Sequence, residues 1–342
     1  MAATVHKDED GDYICDYGCG TQVGTPAMTG SIRLRSAALE LKDKVFIIYK
    51  ASNGSISAND ADVVERGVLL YTSEALAATK DPSKAYASIE LTWDASADRY
   101  IGRGEGIAAK DMGKSQFAVA YMKMADGSYI FGTKSTGEHQ IIEYSPLIYC
   151  RNKKTDSQLG TLVAAMMHYG AAAQVQLGKE TTGLMNEEFD AVTFDTNMLG
   201  QENFKADTTI TNGMKLRSAT MELSGAVSYI VKYSVEDASL SGKQLYAEYT
   251  LLGKTGSVKL VSGTDGRLWA IIEDVAAKDL DSTLTVRPYY LNENGEKVYG
   301  AELIYSAYEY ARRTLASDKS ADTLKNLAKA LATYIYYADK IL

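Results

Sequence analysis

The sequence predicts a mainly β chain with helices, arranged as two tandem lobes, each a β-sandwich followed by a helical element. Three observations carry this expectation. Ile107-Ala108-Ala109-Lys110-Asp111-Met112 recurs as Val275-Ala276-Ala277-Lys278-Asp279-Leu280, and the match runs on ungapped over 26 positions with seven identities, through Tyr121 over Tyr289, Asp126-Gly127 over Asn294-Gly295 and Gly132 over Gly300. Short runs that alternate apolar and polar residues fill both copies, and that period of two belongs to half-buried strands. Apolar residues at helical spacing close each copy: Leu159, Leu162, Met166, Tyr169, Ala173 and Leu177 recur as Leu324, Leu327, Leu331, Tyr334, Ala338 and Leu342.

The elements follow in order. Residues 1–27 are polar and glycine-rich, with no apolar period, and read as an acidic, cysteine-containing linker. Asp8, Asp10 and Asp12 resemble the start of a calcium loop, but Gly11 comes early and no Glu stands at the twelfth position. His6, Cys15 and Cys19 supply three zinc ligands where a closed structural site needs four, so no metal is expected, and a solvated linker or a local Cys15–Cys19 bridge is the reading. Lobe 1 spans 28–177. Its strands are expected at 31–41, 44–50, 67–71, 86–93, 99–107, 116–124 and 129–133, the last two joined by the hairpin signal Asp126-Gly127. Seven short strands with turns between them make an immunoglobulin- or fibronectin-like sandwich, with Ala108-Ala109-Lys110-Asp111 as the crossing turn between its sheets. Residues 178–212 form a connector, and lobe 2 spans 213–342. Copy two opens with Leu216-Arg217-Ser218-Ala219 over Leu34-Arg35-Ser36-Ala37, 182 positions apart, whereas the crossing turns are 168 apart. Copy one therefore carries 14 extra residues, expected in loops at 52–62 and 75–84. Loops that differ between duplicates are where function tends to diverge.

Composition narrows the function. The chain has 342 residues, enough for two domains with cores of their own, and 36 basic against 44 acidic residues give a net charge of -8. With no basic cluster able to neutralise a row of phosphates, nucleic acid is not an expected partner. No apolar run reaches the ~18 residues that span a bilayer, so no membrane insertion is expected. The opening Met-Ala-Ala-Thr lacks the regions of a signal peptide, so an exported protein is expected to be represented here by an excised piece.

Catalytic signatures are weak. None of His6, His139 and His168 has a partner Ser, Cys or His at a recognisable spacing, and His168 sits in an apolar helical pattern. Gly102-Arg103-Gly104-Glu105-Gly106 imitates a phosphate loop but lies in a strand pattern with no helix after it. Glu105 with Glu273 and Asp111 with Asp279 give each copy the same two carboxylates, yet an Asp closing a turn ordinarily caps backbone amides. No catalytic residue and no cofactor is expected.

What stands out is aromatic usage: 24 Tyr against 6 Phe and 2 Trp. A tyrosine excess suits half-exposed faces where one end of the ring stays wet, although Tyr also favours strands for its own sake. Sugar rings stack on exposed aromatic faces while their hydroxyls bond nearby polar groups. Trp93 and Trp269 are the first candidates for such contacts, followed by Tyr100, Tyr246, Tyr290 and Tyr299. Tyr121 and Tyr289, at equivalent positions, read as structural.

The acidic segment His6-Lys7-Asp8-Glu9-Asp10-Gly11-Asp12 with Cys15-Asp16 and Cys19-Gly20, and the module-ending Tyr169-Gly170-Ala171-Ala172-Ala173-Gln174, resemble segments of large exported, dockerin-associated surface proteins of gut Firmicutes. The duplicated plan is similar to the starch adherence system proteins of amylosomes. That resemblance implies a secreted or cell-surface, non-catalytic, monomeric protein that binds starch or another α-1,4-glucan in a groove formed by both lobes. A scaffold partner would attach through regions absent here. A structural or adhesive spacer is the alternative, and a glycoside hydrolase, with two carboxylates facing across a cleft, comes third.

Overall fold

The computed structural model describes residues 32–41, 45–52, 62–133, 140–224, 227–273, 275 and 279–342. The expectations for the 1–27 segment, for His139 and for the Ala276-Ala277-Lys278 turn lie outside the described residues. The chain is mainly β with helices, all strand pairs being antiparallel, and its contacts divide it into two compact units.

Among the described residues, the first unit lies within 32–40, 46–105 and 114–149. One sheet joins β1 (Arg33–Glu40), β2 (Phe46–Ser52), β6 (Arg99–Arg103) and β5 (Thr92–Asp94) in the order β1-β2-β6-β5. The other runs β4-β3-β7-β8, from β3 (Val63–Tyr71), β4 (Ala87–Glu90), β7 (Gln116–Met124) and β8 (Tyr129–Phe131), with β9 (Ile142–Tyr144) also on β7. Strict alternation along β2 sends Ile47, Tyr49 and Ala51 into the core. Between β7 and β8 the hairpin signal behaves as expected: Gly127 sits at φ +85°, and Ser128 N–H and Oγ both donate to Asp126 Oδ1.

The second unit takes residues 41–45, 106–113 and 150–342. Its first sheet has the order β11-β12-β16-β15, from β11 (Met214–Glu222), β12 (Ser228–Val235), β15 (Val261–Ser262) and β16 (Leu268–Ile272). Its second runs β10-β19-β17-β13-β14, from β10 (Lys205–Ala206), β13 (Leu245–Leu251), β14 (Lys254–Lys259), β17 (Leu284–Leu291) and β19 (Leu303–Tyr305), with β18 (Lys297–Tyr299) also on β17. The duplication extends to irregularities. β1 bulges between Leu34 and Ser36, β11 between Leu216 and Ser218, and the arginine in each bulge, Arg35 or Arg217, donates from Nε to Ser52 or Ser234 Oγ at 2.6 Å.

The helices are α1 (Glu74–Thr79), α2 (Pro146–Lys153), α3 (Gly160–Ala173), α4 (Ala307–Ala316) and α5 (Asp322–Ile341). The helix that ends copy one, α3, belongs to the second unit and packs there on α5, with the equivalent residues Tyr169 and Tyr334 stacked at 5.7 Å. Residues 178–212 form a packed strap: Met185, Phe189, Met198 and Leu199 are buried, Leu199 against Ala311, Ala328 and Ala332. Two expectations change. Residues 75–84 are not a loop, since they hold α1 and a short 3-10 turn, Pro82–Lys84. Their composition hid this, because α1 has only six residues and draws its stability from the sheet it covers. The helix α4 was not expected either: its buried residues Ala307, Tyr310, Ala311 and Thr314 keep helical spacing, but they are small or polar and give no apolar stripe.

Candidate functional site

The second sheets of the two copies correspond in pairing register, β3, β4, β7, β8 and β9 matching β13, β14, β17, β18 and β19, with β10 added in copy two. Gly67 faces Tyr121 and Leu69 faces Val119 in copy one; Tyr246 faces Tyr289 and Glu248 faces Arg287 in copy two. The outward face of this sheet differs in kind between them. In copy one it is apolar, and α1 closes it: Leu69, Tyr71, Val119, Tyr121 and Ala77 form one buried cluster, with Phe117, Tyr129 and Phe131 packed beside it. In copy two β13 and β14 are joined directly by Leu252-Gly253 with no helix between them, and the same positions carry Glu248, Thr250, Arg287 and Thr285. An uncovered face must be polar, and this one is.

Three tyrosines ride on that face. Tyr246 stacks on Tyr289 with centroids 5.3 Å apart and planes at 17°, and Tyr299 leans on Tyr289 at 5.6 Å. Cations lie against the rings: Lys297 Nζ is 4.7 Å from the Tyr289 centroid and the Arg287 guanidinium 4.5 Å from that of Tyr299. Glu248 ties the group together by accepting from Tyr299 Oη at 2.8 Å and from Lys297, and these donors hold its carboxyl below the usual glutamate range. Tyr289 Oη and Ser257 Oγ share a hydrogen bond at 2.8 Å, as Tyr121 and Ser88 do in copy one. Copy one has Gly67 where copy two has Tyr246, because the Tyr121 ring lies over that glycine: an added Cβ would meet it at 2.5 Å.

The six aromatic candidates thus meet different fates. Tyr246 and Tyr299 come together, joined by Tyr289, which sequence reasoning had set aside as structural; it is both structural and part of the ladder. Tyr290, next along β17, points to the other side and lies under Lys243 Nζ at 5.2 Å. Trp93 and Tyr100 are a cross-strand pair of β5 and β6, in edge contact at 5.0 Å; Tyr100 is buried, while Trp93 stays 43% exposed. Trp269 is pinned. Its indole N–H donates to Asp265 Oδ1 at 2.9 Å, Lys232 Nζ sits 4.2 Å over the ring, and its inner edge lies on Gly263, where an added Cβ would come within 2.1 Å. Desolvation pushes the Asp265 carboxyl up, but donation from Lys232, Trp269 and the Arg267 amide outweighs it and brings it down to about 2. The register shows why the tryptophans are not equivalents. Trp93 opposes Tyr100, the counterpart of Leu268, so Trp269 falls one residue later and on the other face of its sheet.

Elsewhere the carboxylates serve turns. Asp94 and Asp126 are held below the usual aspartate range chiefly by the hydroxyls and amides of Ser96 and Ser128. Gly102 is a packing glycine, since a Cβ there would meet Leu91 and Ile89 below 3 Å. His168 spends both ring nitrogens: Asn186 Nδ2 donates to Nδ1 at 3.0 Å, which leaves Nε2–H to donate to the Asp190 carbonyl at 2.9 Å. It lines a cleft of about 360 Å³ against α5, with Phe194, Asn326, Lys329 and Thr333. Among the described residues no group of three or more His, Cys, Asp or Glu is placed to hold a metal ion. No helix of the described residues is long and apolar enough to cross a membrane.

No family model matches the chain, and no curated protein matches it. Among solved structures it is similar to MtrC from Shewanella baltica OS185, at 9% identity over 81% of this chain and 68% of that one, with a TM-score of 0.18. A likeness that distant carries no argument about fold or function.

Proposed function

We propose that this chain is a non-catalytic carbohydrate-binding protein of an exported assembly, acting as a monomer on starch or a related α-1,4-glucan. Trp93 is the observation that carries the reading. It is the tryptophan that remains 43% exposed, on the edge strand β5, with the buried Tyr100 in edge contact with its ring. An aromatic ring held by a neighbour loses little freedom on binding, which is why Trp dominates binding hot spots. The α-glucan assignment rests on the family resemblance.

One observation favours the spacer reading instead: Tyr49, Tyr71, Tyr121, Tyr229, Tyr233 and Tyr305 are fully buried, so much of the tyrosine excess builds cores. Native electrophoresis through gels containing amylopectin separates the two. Retardation is expected, and Trp93→Ala should weaken it at least about fivefold, the effect of losing roughly 1 kcal/mol of contact. Unchanged mobility of the wild-type protein in amylopectin, pullulan and xylan gels would leave the spacer reading standing.

A further inference from the structure

The open face of copy two holds its tyrosines in a way that a neutral sugar does not explain. Tyr246 covers one side of Tyr289, and Lys297 and Tyr299 approach it from elsewhere, so that only 6% of Tyr289 is exposed; Arg287 caps Tyr299. Both neighbours of Tyr289 and the cation on Tyr299 thus take up ring faces that could otherwise stack on a sugar. What the face offers outward is charge. Arg287, Lys297 and Lys259 are all exposed; Lys259 stands opposite Tyr246 on β14 and so shares its face. Against these three cations β13, β14, β17 and β18 carry one carboxylate on that side, Glu248, which Lys297 pairs with and whose ionisation the Arg287 charge also favours. Arg287 and Lys259 form no ion pair among the described residues. In a chain of net charge -8, three cations against one carboxylate on one half-aromatic surface are a local reversal of sign.

The duplication sharpens the point. The counterparts of Glu248, Thr250, Thr285 and Arg287 are Leu69, Tyr71, Phe117 and Val119, which lie under α1 in copy one. Without that helix, solubility alone asks for polar residues of any kind. It does not ask for an excess of cations on a ladder of tyrosines.

We propose that this face, formed by β13, β14, β17 and β18, binds a carboxylate-bearing polysaccharide, with Arg287 and Lys259 contacting sugar carboxylates. Arg287 is steadied on the Tyr299 ring and presents a planar fork suited to a carboxylate. The exposed hydroxyls of Ser257 and Thr255 lie along the same face and can each take a further hydrogen bond from a sugar hydroxyl. An excess of two positive charges is too small to neutralise a phosphate backbone. The choice of a glycan over another polyanion rests on the carbohydrate-binding reading above.

The test is isothermal titration calorimetry of the full chain with an oligogalacturonate, maltoheptaose and a poly-glutamate peptide, at low and high sodium chloride. Oligogalacturonate is expected to bind, about tenfold more weakly at high salt because the pairing is exposed. The double variant Arg287→Gln, Lys259→Gln, checked for fold by circular dichroism, should lose at least tenfold for oligogalacturonate and leave maltoheptaose unchanged. The site is overturned if oligogalacturonate does not bind while maltoheptaose does, or if the double variant binds oligogalacturonate as the wild type does. Binding of poly-glutamate as tight as that of oligogalacturonate would overturn the glycan assignment. If neither sugar binds, the carbohydrate reading falls with it.

Discussion

Replacing Tyr169 with Phe should stabilise the second unit, contrary to the usual sign of a core substitution. Tyr169 is 3% exposed on α3 and stacks at 5.7 Å on Tyr334 of α5, with planes 16° apart. Its hydroxyl has no hydrogen-bond partner among the described residues, and burial drives its ionisation far above the ordinary tyrosine range. A hydroxyl buried without a partner costs about 1–3 kcal/mol. Phe keeps the ring and the stack and removes that oxygen. The space left is about that of one small atom, which at ~24 cal/mol per Å³ takes back roughly 0.3 kcal/mol. A net gain of about 1–2 kcal/mol is expected, equivalent to a rise in Tm of roughly 2–8 °C. The assay is urea unfolding followed by Trp269 fluorescence in a Trp93→Phe background, which reports the unit that holds Tyr169 and avoids treating a two-unit chain as one transition. Tyr289→Phe is the control of opposite sign, because its hydroxyl is bonded to Ser257, and about 0.5–1.5 kcal/mol should be lost. Destabilisation of Tyr169→Phe by more than about 1 kcal/mol would show that the hydroxyl is bonded after all and refute the reasoning.

Other expectations follow from the charged and reactive groups. The depressed Asp265 carboxyl contributes stability that is present above its unfolded value, near 3.9, and is lost as pH falls through about 2; Trp269 fluorescence should report that loss, and Asp265→Asn should remove the transition. Asp281 runs the other way. Desolvation, with Asp339 and Asp279 nearby, raises its carboxyl, so the native state disfavours its charge, and Asp281→Asn should raise Tm at neutral pH by an increment that shrinks as pH falls. The Cys150 thiol is buried and pushed up to about 12, so in a Cys15→Ser, Cys19→Ser protein it should react with a thiol reagent only upon unfolding. Rapid native labelling would show that α2 opens locally.

The duplication, the antiparallel strands and their hairpins were legible because each rests on a local period or a short signal: alternation in Phe46–Ser52, Asp126-Gly127 and Asn294-Gly295 at turns where both glycines take positive φ. The alignment of Tyr121 with Tyr289 also placed the pair at one register position in both copies. What alternation cannot say is which of a strand's two faces is covered. That depended on α1, six residues that read as loop yet bury one copy's face and, by their absence, leave the other open. The same limit applies to the two tryptophans. Sequence put both near comparable strands, and only pairing register, which flips every side chain with a one-residue shift, left Trp93 exposed and pinned Trp269 beneath Lys232 and beside Asp265. Composition determined that this chain would hold many tyrosines; tertiary packing decided which of them became core and which became a charged surface ladder, because burial depends on what packs above a residue and not on the residue alone.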